Sequence, residues 1–175
     1  MGREILSISE HDRAIFAQLL ESTDAIAIFG DGSVKDGRGA HSTRIYTNNE
    51  FADNTTPSIK SSAITSGDPT TITSLQSEIS SVLSGLYILQ LLSVFYSIPL
   101  DVTVHFYYDN CKSLCRVDAL EDFEYFADPT MAADYDIWAE IKRILAILPI
   151  TTETHHVKAH QDDHKPYQDF PKMCT

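Results

Sequence analysis

The chain has 175 residues, 43% hydrophobic and 22% charged, a balance that fits one folded domain with a sizeable core and excludes a fibre or a disordered polyelectrolyte. Its formal net charge is -12, from 25 acidic against 13 basic residues, the opposite of the basic footprint of an autonomous nucleic-acid binder. Bound divalent cations would cancel part of such a charge wherever carboxylates cluster.

The opening stretch, MGREILSISEHDR, lacks the apolar core of a signal peptide, so the expected location is intracellular, in cytoplasm or nucleus. Ser7-Ile8-Ser9-Glu10 reads as a capping box, and Ala14, Ile15, Leu19 and Leu20 follow helical spacing, which predicts a short amphipathic helix over 9–21. Ala25 to Gly30 is a β-branched, apolar run that predicts a strand ending at Asp31. Gly32, Gly37 and Gly39 follow and read as turn residues, with Asp36-Gly37 as the hairpin signal into a second strand, His41 to Thr47. Residues 48–70 are rich in Asn, Asp, Ser, Thr and Pro, with a third strand expected near Ser58 to Ile64.

From Thr73 to Tyr96, apolar residues recur every three or four positions, predicting the longest helix, which Pro99 ends. Its apolar run, Val82 to Leu100, is broken by Ser84, Gly85, Gln90, Ser93, Ser97 and Pro99, so no membrane span is expected. Val102, Val104 and Phe106 alternate towards Tyr107-Tyr108-Asp109-Asn110, a buried strand with a helix expected from Asn110. In that helix Cys111 and Cys115 are read as reduced thiols. A further helix is expected over 131–147 around Trp138 and Ile141, then a last strand, Thr152 to Lys158, whose far end delivers His160. The order predicts a mixed α/β domain: a three-strand antiparallel meander, then strands joined by helical crossovers.

Asp31, Glu78 and Asp109 stand at two strand ends and in the early turns of the long helix, where an α/β sheet gathers its chemistry. Each alone has an ordinary reading, as a turn residue, a solvated helix carboxylate and an N-cap. Together, three carboxylates repel unless a cation shares their charge, and oxygen-only ligands suit Mg2+ or Mn2+ rather than zinc.

DGS at 31–33 after an apolar strand, SLQSEISSVLSGLYIL with Glu78, YYDN with Asp109, and HHVKAHQDD at 155–163 together resemble the type 1 ribonuclease H-like domain, particularly that of reverse-transcribing retroelements. The likeness runs from residue 25 to 165, leaving 1–24 as an extra helical lead-in and 166–175 as a short tail. The resemblance implies a metal-dependent nuclease, with Asp31, Glu78 and Asp109 as ligands to two Mg2+ or Mn2+ ions. It implies hydrolysis of the RNA strand of an RNA/DNA hybrid, with His160 moving a proton or assisting product release. It also implies that the rest of a retroelement polyprotein is a partner.

The sequence departs from that pattern in three places. The family's fourth carboxylate lies early in a helix after the histidine loop, and HQDDHKPYQDFPKMCT offers Asp169 and Asp163 as substitutes, with Asp162 beside them, and a shortened last helix. Ser74 and Leu75 stand where relatives carry hybrid-touching Asn or Arg, and Lys158-Ala159-His160 replaces Lys-Gly-His. A non-catalytic module with idle carboxylates is therefore the competing expectation. A zinc reading of His155, His156, His160 and His164 is weak, because a strand sends alternate residues to opposite faces. The glycines match no dinucleotide or phosphate-loop pattern.

Overall fold

The structure, a computed structural model, describes residues 5–6, 10–47, 58–109 and 134–157. Outside the described residues lie Ser7 of the capping box, the helix expected from Asn110 with its two cysteines, and His160, Asp162, Asp163, His164 and Asp169. The elements in chain order are β1 (Ile5–Leu6), α1 (Glu10–Leu20), β2 (Ala25–Lys35), β3 (Arg38–Tyr46), β4 (Ser58–Thr65), α2 (Ser74–Tyr96), β5 (Val102–Tyr108), α3 (Tyr135–Leu145) and β6 (Ile150–His156).

The strands form one mixed sheet in the order β1-β4-β3-β2-β5-β6. β2, β3 and β4 are the antiparallel meander, and β5 and β6 join parallel to β2 through the crossovers that carry α2 and α3. The expected mixed α/β architecture is therefore present. The strand β1, paired antiparallel with β4 at Ser61 and Ser62, is an addition that two residues of sequence give no period to reveal.

Several strand ends differ from expectation; β3, for one, begins at Arg38 rather than His41. β2 runs through Asp31 to Lys35, and the chain reverses only at Asp36 and Gly37, whose φ angles of 52° and 69° make the tight turn. The last strand begins at Ile150, earlier than Thr152, because its parallel register with β5 starts at Val102 opposite Ile150.

α2 begins at Thr73, whose hydroxyl accepts the Gln76 amide at 3.0 Å, and ends at Ser97, left-handed at φ 54°. By length and composition α2 could cross a membrane, but Ile79, Val82, Leu86 and Leu89 are fully buried against the sheet. Phe16 and Leu20 of α1, and Trp138, Ile141 and Ile144 of α3, complete the same core with Ile26, Ile28, Ile45 and Ile59. Burial of Phe16 and Ala17, rather than Ala14, shifts the predicted apolar face of α1 by a fraction of a turn. On the other face of the sheet Ala27, Tyr46 and Tyr107 form a smaller cluster with Phe29.

Candidate active site

Strand pleating decides which way each residue of β2 faces. Ile28, Gly30 and Gly32 turn to α2, so Phe29 and Asp31 turn to the opposite face. A side chain on the α2 side would have no room: a Cβ on Gly32 would lie 2.3 Å from the Glu78 amide nitrogen, and one on Gly30 would lie 2.1 Å from Tyr108 Cε1. Gly39 on β3 is similarly close, 2.7 Å from Ser77 Oγ, and Gly85 on α2 would meet Ile28 Cγ2 at 2.9 Å. Of the three glycines read as turn residues, Gly37 alone has a positive φ; Gly32 and Gly39 are instead the places where the helix presses on the sheet.

This close seating fixes the carboxylate region. Glu78 is buried in the second turn of α2 with its backbone against Gly32, next along the chain from exposed Asp31. The parallel register sets Phe29 beside Tyr107, and two further residues along each chain bring the backbone to Asp31 and Asp109. Asp109 is exposed at the end of β5, and its carbonyl oxygen accepts a hydrogen bond from His156 Nε2 at 3.1 Å. The three positions thus converge by backbone. Their side chains do not form a set with ligand atoms within 4.8 Å; among the described residues that closeness belongs to His105, Glu153 and His155.

Under Glu78 the packing is polar and tight. Ser81 Oγ donates to the Glu78 carbonyl at 2.6 Å, and Thr43 Oγ1 donates to the Ser81 carbonyl at 2.8 Å. Burial pushes the Tyr108 phenol well above its ordinary value; the Ser81 hydroxyl opposes this and the charge of Glu78 adds to it. Tyr108 therefore stays neutral beside the carboxylate.

On the opposite face Asp31 borders an open groove of about 470 Å³, shared with Phe29, Ser42, Arg44, Lys60 and Ser62. Arg44 is paired with Phe29 on one side and Lys60 on the other. Its guanidinium lies 4.7 Å from the Tyr46 ring centre, and its Nε donates to Ser58 Oγ at 3.1 Å, so the side chain is held in place. Two cations and two serine hydroxyls thus stand beside Asp31 in a chain of strongly acidic composition.

By sequence, no family model and no curated protein matches the chain. Solved structures do. The ribonuclease H1 of the halophilic archaeon Halobacterium salinarum NRC-1 superposes with a TM-score of 0.51 at 10% identity, covering 79% of this chain and 89% of that one. LC11-RNase H1 in complex with an RNA/DNA hybrid gives 0.50 at 18% identity, covering 79% and 91%. LC9-RNase H1, a type 1 enzyme with the type 2 active-site motif, gives 0.51 at 14%, covering 79% and 65%. The fold is ribonuclease H-like.

Within that ribonuclease H-like frame, two groups of residues escaped the sequence reading. Arg44 and Lys60 are 16 positions apart and meet only through the antiparallel register of β3 and β4. His105 and Glu153 meet the same way through the parallel register of β5 and β6, with His155 two residues on and therefore on the same face as Glu153. The available signal was the i, i+2 spacing of Glu153 and His155 in a strand, and His105 alternating with Tyr107. Tyr107 stacks between Phe29 and His155, with centroids 4.7 Å away on each side and ring planes 12° and 17° from its own.

Proposed function

We propose that the chain is a divalent-metal-dependent nuclease that hydrolyses the RNA strand of RNA/DNA hybrids, with Asp31, Glu78 and Asp109 as its metal-holding carboxylates. The observation that carries this reading is the backbone convergence of the three: the Glu78 backbone seated on Gly32, and Asp31 and Asp109 two residues beyond a registered strand pair. The donor set is all oxygen, which fits Mg2+ or Mn2+. Such ions, when bound, supply activation of water and stabilisation of the leaving oxygen in a phosphodiester displacement.

The chain's own residues do the positioning. Glu78 is fixed from below by the Ser81 bond and the glycine contact, whereas Asp31 and Asp109 are exposed and free to reorient towards a cation and a scissile phosphate. Arg44 and Lys60 line the groove beside Asp31, where they would meet backbone phosphates, and Ser42 and Ser62 would meet sugar hydroxyls. The fold shared with LC11-RNase H1, solved with a hybrid, supports the substrate class.

The order and spacing of the DGS, Glu78, YYDN and histidine motifs support a retroelement origin and a polyprotein partner. His160 would assist proton movement, and Asp169 or Asp163 would supply the fourth carboxylate.

The test is cleavage of an end-labelled RNA/DNA hybrid by the purified chain with Mg2+ or Mn2+, beside Asp109→Asn. The expected result is metal-dependent product with 3′-hydroxyl and 5′-phosphate ends. In the variant the rate should fall by at least about 100-fold, the loss of several kcal/mol of charge stabilisation. No product in either metal from folded protein would overturn the activity and favour a non-catalytic module, the reading that the net charge of -12 supports.

A further inference from the structure

His105, Glu153 and His155 lie on the face of the sheet away from α2, on the parallel pair β5 and β6. His105 Nδ1 is 2.9 Å from His155 Nε2 and 3.2 Å from Glu153 Oε2, and His155 Nε2 is 3.8 Å from the same oxygen. All three ligand atoms point into one small space. A tetrahedral zinc centre with bonds of about 2.0–2.1 Å holds its ligand atoms about 3.3 Å apart along each edge. The three separations bracket that edge length.

The ligand types agree with the geometry. Two imidazoles and one carboxylate with a remaining open position form a set that zinc uses when water or a substrate completes its coordination. Hard cations that prefer all-oxygen sites do not favour it.

The side chains are also held in advance. His105 is mostly buried, with 14% of its side chain exposed, while Glu153 and His155 at 55% and 38% leave an approach from solvent. The His155 ring is clamped by its stack on Tyr107, itself stacked on Phe29. Without a cation, the close nitrogen pair needs a proton between its members.

We propose that His105, Glu153 and His155 form a zinc-binding site separate from the carboxylate region, tying edge strand β6 to β5. His156, next in the chain, faces the other way to the Asp109 carbonyl and is excluded from the set.

The test uses the full chain stripped of metal with a chelator and titrated with Zn2+ against a chromophoric competitor. Wild type should show a site that Co2+ fills with the intense visible bands of a four-coordinate centre. His105→Ala and the shape-preserving Glu153→Gln should each weaken that site by about 100-fold, since losing even an outer partner of a ligand costs about 10- to 100-fold. His156→Gln should leave it unchanged. Equal affinity in wild type, His105→Ala and Glu153→Gln would overturn the site, as would an equal loss in His156→Gln or no zinc binding by wild type. The readout is zinc affinity, so it is independent of whether the chain cleaves hybrids.

Discussion

Gly32 and Glu78 are in backbone contact: a single added methyl on Gly32 would lie 2.3 Å from the Glu78 nitrogen and 2.8 Å from its Cα. A helix backbone cannot step aside as a side chain can. Gly32→Ala is therefore expected to force α2 off the sheet and cost about 1–3 kcal/mol, the range of overpacked interiors. Urea unfolding should show a lower midpoint, and hybrid cleavage should fall with it because Glu78 moves. Gly67→Ala is the contrast. There the new Cβ meets only side-chain ends of Gln76 and Ile72 at 3.3 Å, and the expected change is within about 0.5 kcal/mol.

Arg44 and Lys60 face each other across β3 and β4 at the groove beside Asp31. If they meet phosphates of a hybrid, Arg44→Ala and Lys60→Ala should each weaken binding without changing sequence preference. Each should also lower the slope of log affinity against log salt by about one. Fluorescence anisotropy across a salt series measures this, and an unchanged slope would remove both residues from the contact surface.

His41 is buried between two hydroxyls, with Nδ1 3.0 Å from Thr65 Oγ1 and Nε2 3.0 Å from Ser84 Oγ. His41→Leu keeps the volume and strands both, at about 1–3 kcal/mol for each buried polar group left without its partner. Equilibrium denaturation should show the loss. Adding Ser84→Ala should recover part of it, because one of the two stranded hydroxyls is then gone.

Glu140 of α3 accepts two hydrogen bonds from Arg143, each 2.8 Å, and another from Tyr87 of α2. The Arg143 bonds first, and the Tyr87 bond second, hold its carboxyl at about 2, below the ordinary 4.5. A depressed carboxyl stabilises the fold above its unfolded value and loses that contribution as pH falls through its folded value. The stability difference between wild type and Glu140→Gln should thus be constant at neutral pH and shrink from about 4.5 down to about 2. Denaturant midpoints across this window read it directly. A difference that does not change with pH would mean that the Tyr87 and Arg143 bonds do not depend on the charge of Glu140.

Much of the fold was legible because it is written in local periods. The alternation of Val102, Val104 and Phe106 and the three- and four-residue spacing of α2 placed β5 and α2 within a residue or so of their observed bounds. The glycines were misread because their reason is not local: Gly32 and Gly39 look like turn residues beside Gly37, and only the packing of α2 reveals them as contact points. The groove cations and the His105, Glu153 and His155 cluster were hidden for a related reason. Each is assembled by strand register, which a single sequence does not print. The carboxylates were visible because each lies in or just after an element that periodicity locates: Asp31 within β2, Glu78 in the second turn of α2, and Asp109 directly after β5.

β1 is only two residues long, yet it sits opposite Ser61 and Ser62, the middle of the eight-residue strand β4. Among the described residues, three of that outer edge remain on each side of it, including Ile64, which is 66% exposed. A bare run of eight unpaired backbone groups beside an exposed isoleucine would be an invitation to a strand from another molecule. By dividing this edge into two stubs too short to recruit one, a pair of residues guards the β4 side of the sheet against pairing with another molecule.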